Sequence, residues 1–265
     1  KRNFIDKFIA KMVESNIWHF IQRQVNIIGP FEKKLINNNV DLVYFVTPSS
    51  LGLALQKINF ITTVWDLCHR DNPEFPEIRE RGEFFNREYL YRNLLSFAFL
   101  VICDSKKLAE LASFRYGVDI EKFVPMPFGA SPLHDTRERK SLEEIQIKYN
   151  LPSQYLYYPA QFWAHKNHIR ILDALCILRD VHKLKVFLVL SGKDYGNLTL
   201  IKKYITKRKL DSQVLILGFV PSNEVKSLYE GSSGVIVPTY FGQTNLPPLE
   251  AWAAKVPLIY SRNFS

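Results

Sequence analysis

Val235–Lys255 reads VIVPTYFGQTNLPPLEAWAAK, and its parts set the reading of the whole chain. Val235–Pro238 is a short unbroken apolar run, which suits a strand buried on both faces. Thr239–Pro247 is a loop of small and polar residues. Pro247 and Pro248 preset the backbone for a first helical turn, where their missing N–H groups cost little. Helix is predicted from there over about Pro247–Lys255. Strand, loop and helix in this order make one repeating unit of a parallel sheet.

The same alternation extends in both directions. Strands are predicted at Tyr155–Ala160, Lys185–Leu190, Val214–Leu217 and Pro257–Tyr260, with helices at about Asn167–His182, Leu198–Lys209 and Asn223–Glu230. Nearer the N-terminus, Asp41–Thr47, Phe60–Asp66 and Phe99–Ser105 read as buried strands, and Arg79–Ala98 and Lys106–Gly117 as helices. Phe123–Phe128 carries two prolines, which confine it to a sheet edge or to linker chain. Phe4–Val25 has a helical period through Ile5, Phe8, Ile9, Met12, Val13 and Ile17, read as a helix on a sheet rather than a basic membrane-surface helix. Met126–Pro132 and the charged run Asp135–Lys140 mark the best boundary. The expected fold class is α/β, with two doubly wound domains facing each other, 1–132 and 133–265. The start at Lys1 and the stop after a strand make both ends read as truncated.

Of the 265 residues, 47% are hydrophobic, enough for a substantial core and against disorder. Cys68, Cys103 and Cys176 lie far apart, which argues against a zinc site or a disulfide framework and fits a reducing cytoplasm. The formal net charge of +9 favours anionic partners without choosing among nucleotides, nucleic acid and an anionic membrane face. No apolar run approaches the roughly 20 residues of a membrane-spanning helix. Nucleotide-binding glycine fingerprints, Walker loops, serine elbows, zinc-hydrolase motifs and an Asp-x-Asp pair are absent, as is an interleaved basic and aromatic nucleic-acid motif.

Ligands of open α/β sheets bind beyond the carboxyl ends of the strands. That rule selects Gln161–Asn167, Ser191–Asn197, Gly218–Asn223 and Thr239–Pro247. These loops hold Gln161, His165, Lys166, Asn167, Lys193, Asp194, Gly218, Gly242, Thr244 and Asn245, a mix suited to an anionic, hydroxyl-rich ligand. Thr244, Asn245 and free backbone N–H groups are exposed in the loop before a helix N-terminus, which attracts phosphate oxygens. Glu250 either complements the helix dipole or accepts from ligand hydroxyls. Lys166 is either a solvated surface charge or a point charge against a diphosphate. Asn167 is a candidate N-cap, and His168 and His182 are read as helix-surface residues. In the first half, Asp66 and His69 follow a strand, read as a loop-ordering carboxylate and a half-exposed imidazole or as contacts to a ligand.

Tyr157–His168, Leu217–Val220, Val237–Thr239 and Asn245–Ala251, in order, resemble the family 4 glycosyltransferases. Cys103–Ser105, Tyr116–Asp119 and Pro127–Gly129 resemble the end of that family's first domain, and Thr63–Leu67 its cleft strand. The resemblance covers the chain from about Asp41 onward. It implies the GT-B fold of two Rossmann-like domains and transfer of a sugar from a nucleotide diphosphate sugar with retained configuration. No metal or other cofactor is implied. Lys166 then matches the diphosphate-binding lysine, Glu250 the ribose-binding glutamate, and Thr244–Leu246 the segment facing the sugar and its phosphate. Three positions depart from the family pattern: Gly242 stands where a first glutamate is usual, Gln161 where an arginine is usual, and Trp65 nearest the usual cleft histidine. Asp66 and His69 are imperfect substitutes for that histidine.

The resulting expectation is a cytoplasmic hexosyltransferase of polysaccharide or lipopolysaccharide synthesis. Its acceptor is a saccharide or a lipid-linked one, with peripheral contact to an anionic membrane and none to nucleic acid. A sugar-nucleotide epimerase or phosphorylase of the same fold and a non-catalytic nucleotide-sugar binder are the alternatives.

Overall fold

The computed structural model describes residues 28–129, 140–242 and 245–261. They divide into two compact units. One holds the described residues up to Glu74 with Ile78–Pro127, and the other holds Phe75–Glu77 with the described residues from Phe128 onward. The helix expected over Phe4–Val25 and the boundary expected at 132/133 lie outside the described residues.

The first unit runs α1 (Pro30–Asn37), β1 (Leu42–Phe45), β2 (Asn59–Val64), α2 (Glu83–Phe97), β3 (Leu100–Cys103), α3 (Lys106–Tyr116) and β4 (Phe123–Pro125). Its strands are all parallel, in the order β1-β2-β3-β4. The proline-containing run therefore forms a strand at the sheet edge, as its composition requires. Ser105 caps α3 by accepting from Leu108 N–H, and Gly117 ends it at φ +63°, the conformation glycine tolerates best. The core gathers Phe60, Val64, Leu94, Leu95, Val101 and Leu108. Helix α1 was not expected from the sequence. Its Glu32 is fully buried, and one carboxylate oxygen accepts the backbone N–H groups of Gln56, Lys57 and Ile58 at 2.7, 2.6 and 3.0 Å. A charged acceptor makes such bonds strong enough to pin the loop before β2.

The second unit runs α4 (Leu142–Tyr149), β5 (Leu156–Pro159), α5 (His168–Asp180), β6 (Leu188–Ser191), α6 (Leu198–Lys207), β7 (Val214–Gly218), α7 (Ser222–Glu230), β8 (Gly234–Val237), α8 (Leu246–Ala253) and β9 (Leu258–Tyr260). The parallel order is β7-β6-β5-β8-β9. The chain builds outward from β5 to β7, then returns to the other side of β5 with β8. Helices leave opposite sides of that junction, so a crevice opens beyond the carboxyl ends of β5 and β8.

Helix α4 was also missed, although Ser141 and Glu144 form a capping box at its start. It is fixed to α7 by Lys148 and Tyr149, which donate to Glu224 at 2.7 and 2.6 Å. The core of this unit is unusually rich in tyrosine, and each buried hydroxyl has a partner, as burial demands. Tyr155 donates to Leu228 O at 2.9 Å, Tyr158 to Lys166 O at 2.8 Å, and Tyr157 pairs with Ser191 Oγ at 2.7 Å. Gly192, at the end of β6, is required by space: a Cβ there would lie 2.2 Å from Ala160 O.

Candidate functional site

A cavity of about 410 Å³ occupies the crevice that the strand order creates. Ala160 and Gln161 line it beyond β5, Ser191 and Gly192 at the end of β6, and Phe219 and Val220 beyond β7. Lys166, Asn245, Leu246, Pro247 and Glu250 complete the wall. Of the residues expected to bind a ligand, Gln161, Lys166, Asn245, Leu246 and Glu250 thus meet in one place.

Lys166 ends a single 3₁₀ turn, Ala164–Lys166, before α5. Its ammonium donates to Asn245 Oδ1 at 3.0 Å. The amide of Asn245 in turn donates to Gly242 O at 2.8 Å and to Tyr260 OH at 3.2 Å. Asn245 is the N-cap residue of α8, but its side chain makes no capping bond. It holds the lysine instead. Pro247 and Pro248 remove two donors from the first turn, so Leu246 and Leu249 supply its amide N–H groups.

Glu250 lies one turn into α8 and accepts from Tyr229 OH at 2.5 Å. Tyr229 is fully buried on α7 and packs edge-on against Tyr157, ring centroids 5.2 Å apart. Burial and the neighbouring Glu250 carboxylate push the Tyr229 phenol well above its ordinary value. It therefore remains a donor and fixes the carboxylate that faces the cavity. Tyr229 was not among the expected site residues, because nothing in a helical run marks which hydroxyl reaches another helix.

Gly242 has φ +114°, and a Cβ on it would approach Asn245 Oδ1 to 3.1 Å. A side chain at this position would be strained and crowded, so the absent glutamate matches a loop built for glycine. Gly218 ends β7 at φ +70°. The Gln161 side chain accepts from Lys193 N–H and so ties the loop beyond β5 to that beyond β6. Thr244 lies outside the described residues.

The reading of His168 as a helix-surface residue is corrected. His168 is buried, not on a helix surface; it lies against Tyr158 and Phe162 with centroids 5.0 Å away in each case. Burial, with Lys166 and His165 nearby, drives its pKa down to about 3, so it is neutral. Asn167 is the N-cap residue of α5 as expected, but at φ +57° its side chain makes no capping bond and donates instead to Pro238 O at 2.9 Å. His182 is exposed as expected.

In the first unit the expected pair differs in exposure. His69 is completely buried within the short helix Cys68–Asp71, with Nε2 3.1 Å from Tyr116 OH and its ring against Tyr91. It has no face left for a ligand within that unit, which corrects its reading as a half-exposed contact. Burial lowers its pKa. Asp66 is partly exposed and accepts from Cys68 N–H at 3.0 Å and Arg87 Nη1 at 3.1 Å. It orders its loop. Nearby, Glu88 accepts from Arg70, Arg92 and Tyr116. The Arg70 guanidinium in first place holds its carboxyl down to about 2. Among the described residues, no three His, Cys, Asp or Glu side chains converge as metal ligands, and no helix is long and apolar enough to cross a membrane.

Two parallel α/β units, the second with a cavity where its strand order reverses, define a Rossmann-like architecture. Residues 141–265 match the family described as Glycosyl transferases group 1. The chain is 24% identical over 204 residues to the O-antigen chain mannosyltransferase B of Escherichia coli, covering 76% of this chain and 52% of that one. It thus spans about half the length of that curated relative. Among solved structures, sucrose-phosphate synthase of Thermosynechococcus elongatus superposes with a TM-score of 0.68 at 18% identity, over 88% of this chain and 58% of the other. HepE of Anabaena, solved in complex with UDP, gives 0.65 at 16% identity over 91% and 65%. The fold is therefore the GT-B fold of two Rossmann-like units.

Proposed function

We propose that this chain acts in a retaining, family 4-type hexosyltransferase that takes its sugar from a nucleotide diphosphate donor. The carrying observation is the cavity at the β5/β8 junction, which brings Lys166, Asn245 and Glu250 onto one wall. Lys166 meets the diphosphate and stabilises the charge that grows on it as the sugar leaves. The amide N–H groups at the start of α8 add to that field. Glu250, fixed by Tyr229, accepts hydroxyls of the ribose. The acceptor hydroxyl attacks on the face from which the diphosphate departs, and a donor phosphate oxygen takes its proton. No metal or cofactor takes part.

The acceptor is a growing saccharide or a lipid-linked one, in surface polysaccharide or lipopolysaccharide assembly. The mannosyltransferase relative supports that setting, and UDP in the Anabaena structure supports a nucleoside diphosphate ligand. The net charge of +9 suits work at the cytoplasmic side of an anionic membrane. A thermal-shift screen of the protein against UDP- and GDP-sugars tests the reading, since the preferred donor raises the midpoint by mass action. Transfer of labelled sugar to acceptor separates a transferase from an epimerase, which needs no acceptor. Binding without turnover would leave the non-catalytic reading.

A further inference from the structure

Lysine has a long, flexible stem, so the position of the Lys166 ammonium depends on how firmly the preceding turn is held. That turn is short, and its own bonds are few: Lys166 N–H to Trp163 O at 3.3 Å and Asn167 N–H to Ala164 O at 3.1 Å. The firmer hold is on His165. Its backbone N–H donates to Glu77 Oε1 at 3.0 Å, and its ring Nδ1 lies 2.5 Å from the same oxygen. Its carbonyl accepts from Tyr240 N–H at 2.8 Å and Thr239 Oγ1 at 3.2 Å. The ring stacks on Phe241 with centroids 4.1 Å apart, and Phe75 meets Phe241 edge-on at 5.2 Å.

Glu77 is therefore the charged anchor of the turn. Its side chain is 8% exposed and that of His165 12%, so the pair is poorly screened and its hydrogen bonds are correspondingly strong. A buried carboxylate with a single oxygen on both the backbone and the ring of one residue fixes that residue in position and in rotation. Glu77 comes from the segment Phe75–Glu77, which groups with the second unit although its sequence neighbours on both sides group with the first.

We propose that Glu77 is a positioning residue for the sugar-donor site: by clamping His165 it presents the next residue, Lys166, to the cavity. The proposal rests on the donor-site reading above and names a residue that reading does not use. It has a consequence that a general stabilising role lacks. If Glu77 acts through Lys166, removing Glu77 matters only while Lys166 is present.

The test is a double-mutant cycle on the protein with UDP and GDP as probes, following the one that binds tighter by calorimetry. Lys166→Ala is expected to weaken binding by about 10- to 100-fold, the range of a charged hydrogen bond. Glu77→Ala is expected to weaken it about tenfold in the native background and less than about twofold beside Lys166→Ala. Glu77→Gln keeps an acceptor for the His165 N–H but loses the charge, and should fall between native and Glu77→Ala. It also stands in should Glu77→Ala fail to fold. An equal loss on Glu77 substitution in both backgrounds would overturn the positioning role and leave the donor site intact. Unchanged binding after Lys166→Ala, or no binding of either nucleotide, would overturn the donor-site reading and this proposal with it.

Discussion

Both units place charged side chains just beyond a parallel strand, but among the described residues those of the first pair with one another while those of the second line a cavity. In the first unit the carboxylates and guanidiniums answer one another: Asp66 with Arg87, and Glu88 with Arg70 and Arg92, while His69 is sealed beneath Tyr116 and Tyr91. In the second, Lys166, Asn245 and Glu250 line a cavity of about 410 Å³. The difference lies in strand order. Among the described residues, the order of the first sheet runs straight from β1 to β4, whereas β7-β6-β5-β8-β9 reverses at β5 and opens a crevice. Residue type at a strand end therefore means little until the topology says whether a crevice exists there.

Substitutions sharpen the contrast. The largest expected effect is Gly192→Val, which drives side-chain atoms into Ala160 O and should destabilise the second unit by about 3 kcal/mol or more, read by denaturant unfolding. His69→Ala should cost about 2–3 kcal/mol, through a cavity and the lost Tyr116 contact, while leaving nucleoside diphosphate affinity within about twofold. A large loss of affinity in that variant would break the division of labour between the units. Tyr229→Phe does the reverse. It removes the Glu250 partner and should weaken nucleotide binding about three- to tenfold, with a stability loss of about 1 kcal/mol.

Acid should separate the units too. His168 stays neutral in the folded state down to about pH 3, but its ordinary value is 6.5. The unfolded chain then binds the extra proton, so the second unit loses stability as pH falls from about 6.5 to 3, by on the order of 2–4 kcal/mol. Glu88 behaves differently. Its carboxyl is lowered from 4.5 to about 2, so its stabilisation is complete above 4.5 and lost only as pH falls towards 2, on the order of 2 kcal/mol. Acid unfolding followed residue by residue should show the second unit loosening first. His168→Phe should abolish its early phase.

The strands of the second unit were legible because continuous apolar runs such as Phe187–Leu190, which leads into the fully buried β6, suit strands covered on both faces. The loop before α8 was legible for a similar local reason, its two prolines and asparagine at a helix start. Helix α4 was missed despite the local Ser141–Glu144 capping signal, because the preceding charged run masked it as linker. The remaining misreadings concern burial set from far along the chain. His69 is sealed by Tyr116, His168 by Tyr158 on a neighbouring strand, and Glu250 is oriented by Tyr229. Glu77 lies 88 residues from His165, a separation at which no sequence pattern signals contact.

The central claim is that the donor nucleotide is held mainly by the second unit, through Lys166. Calorimetric titration of the protein, its Lys166→Ala variant and its His69→Ala variant with UDP and GDP tests this most directly. One of the two nucleotides should bind the native protein, at least about tenfold more weakly to Lys166→Ala, and within about twofold of native to His69→Ala. Equal binding by native protein and Lys166→Ala would contradict the account.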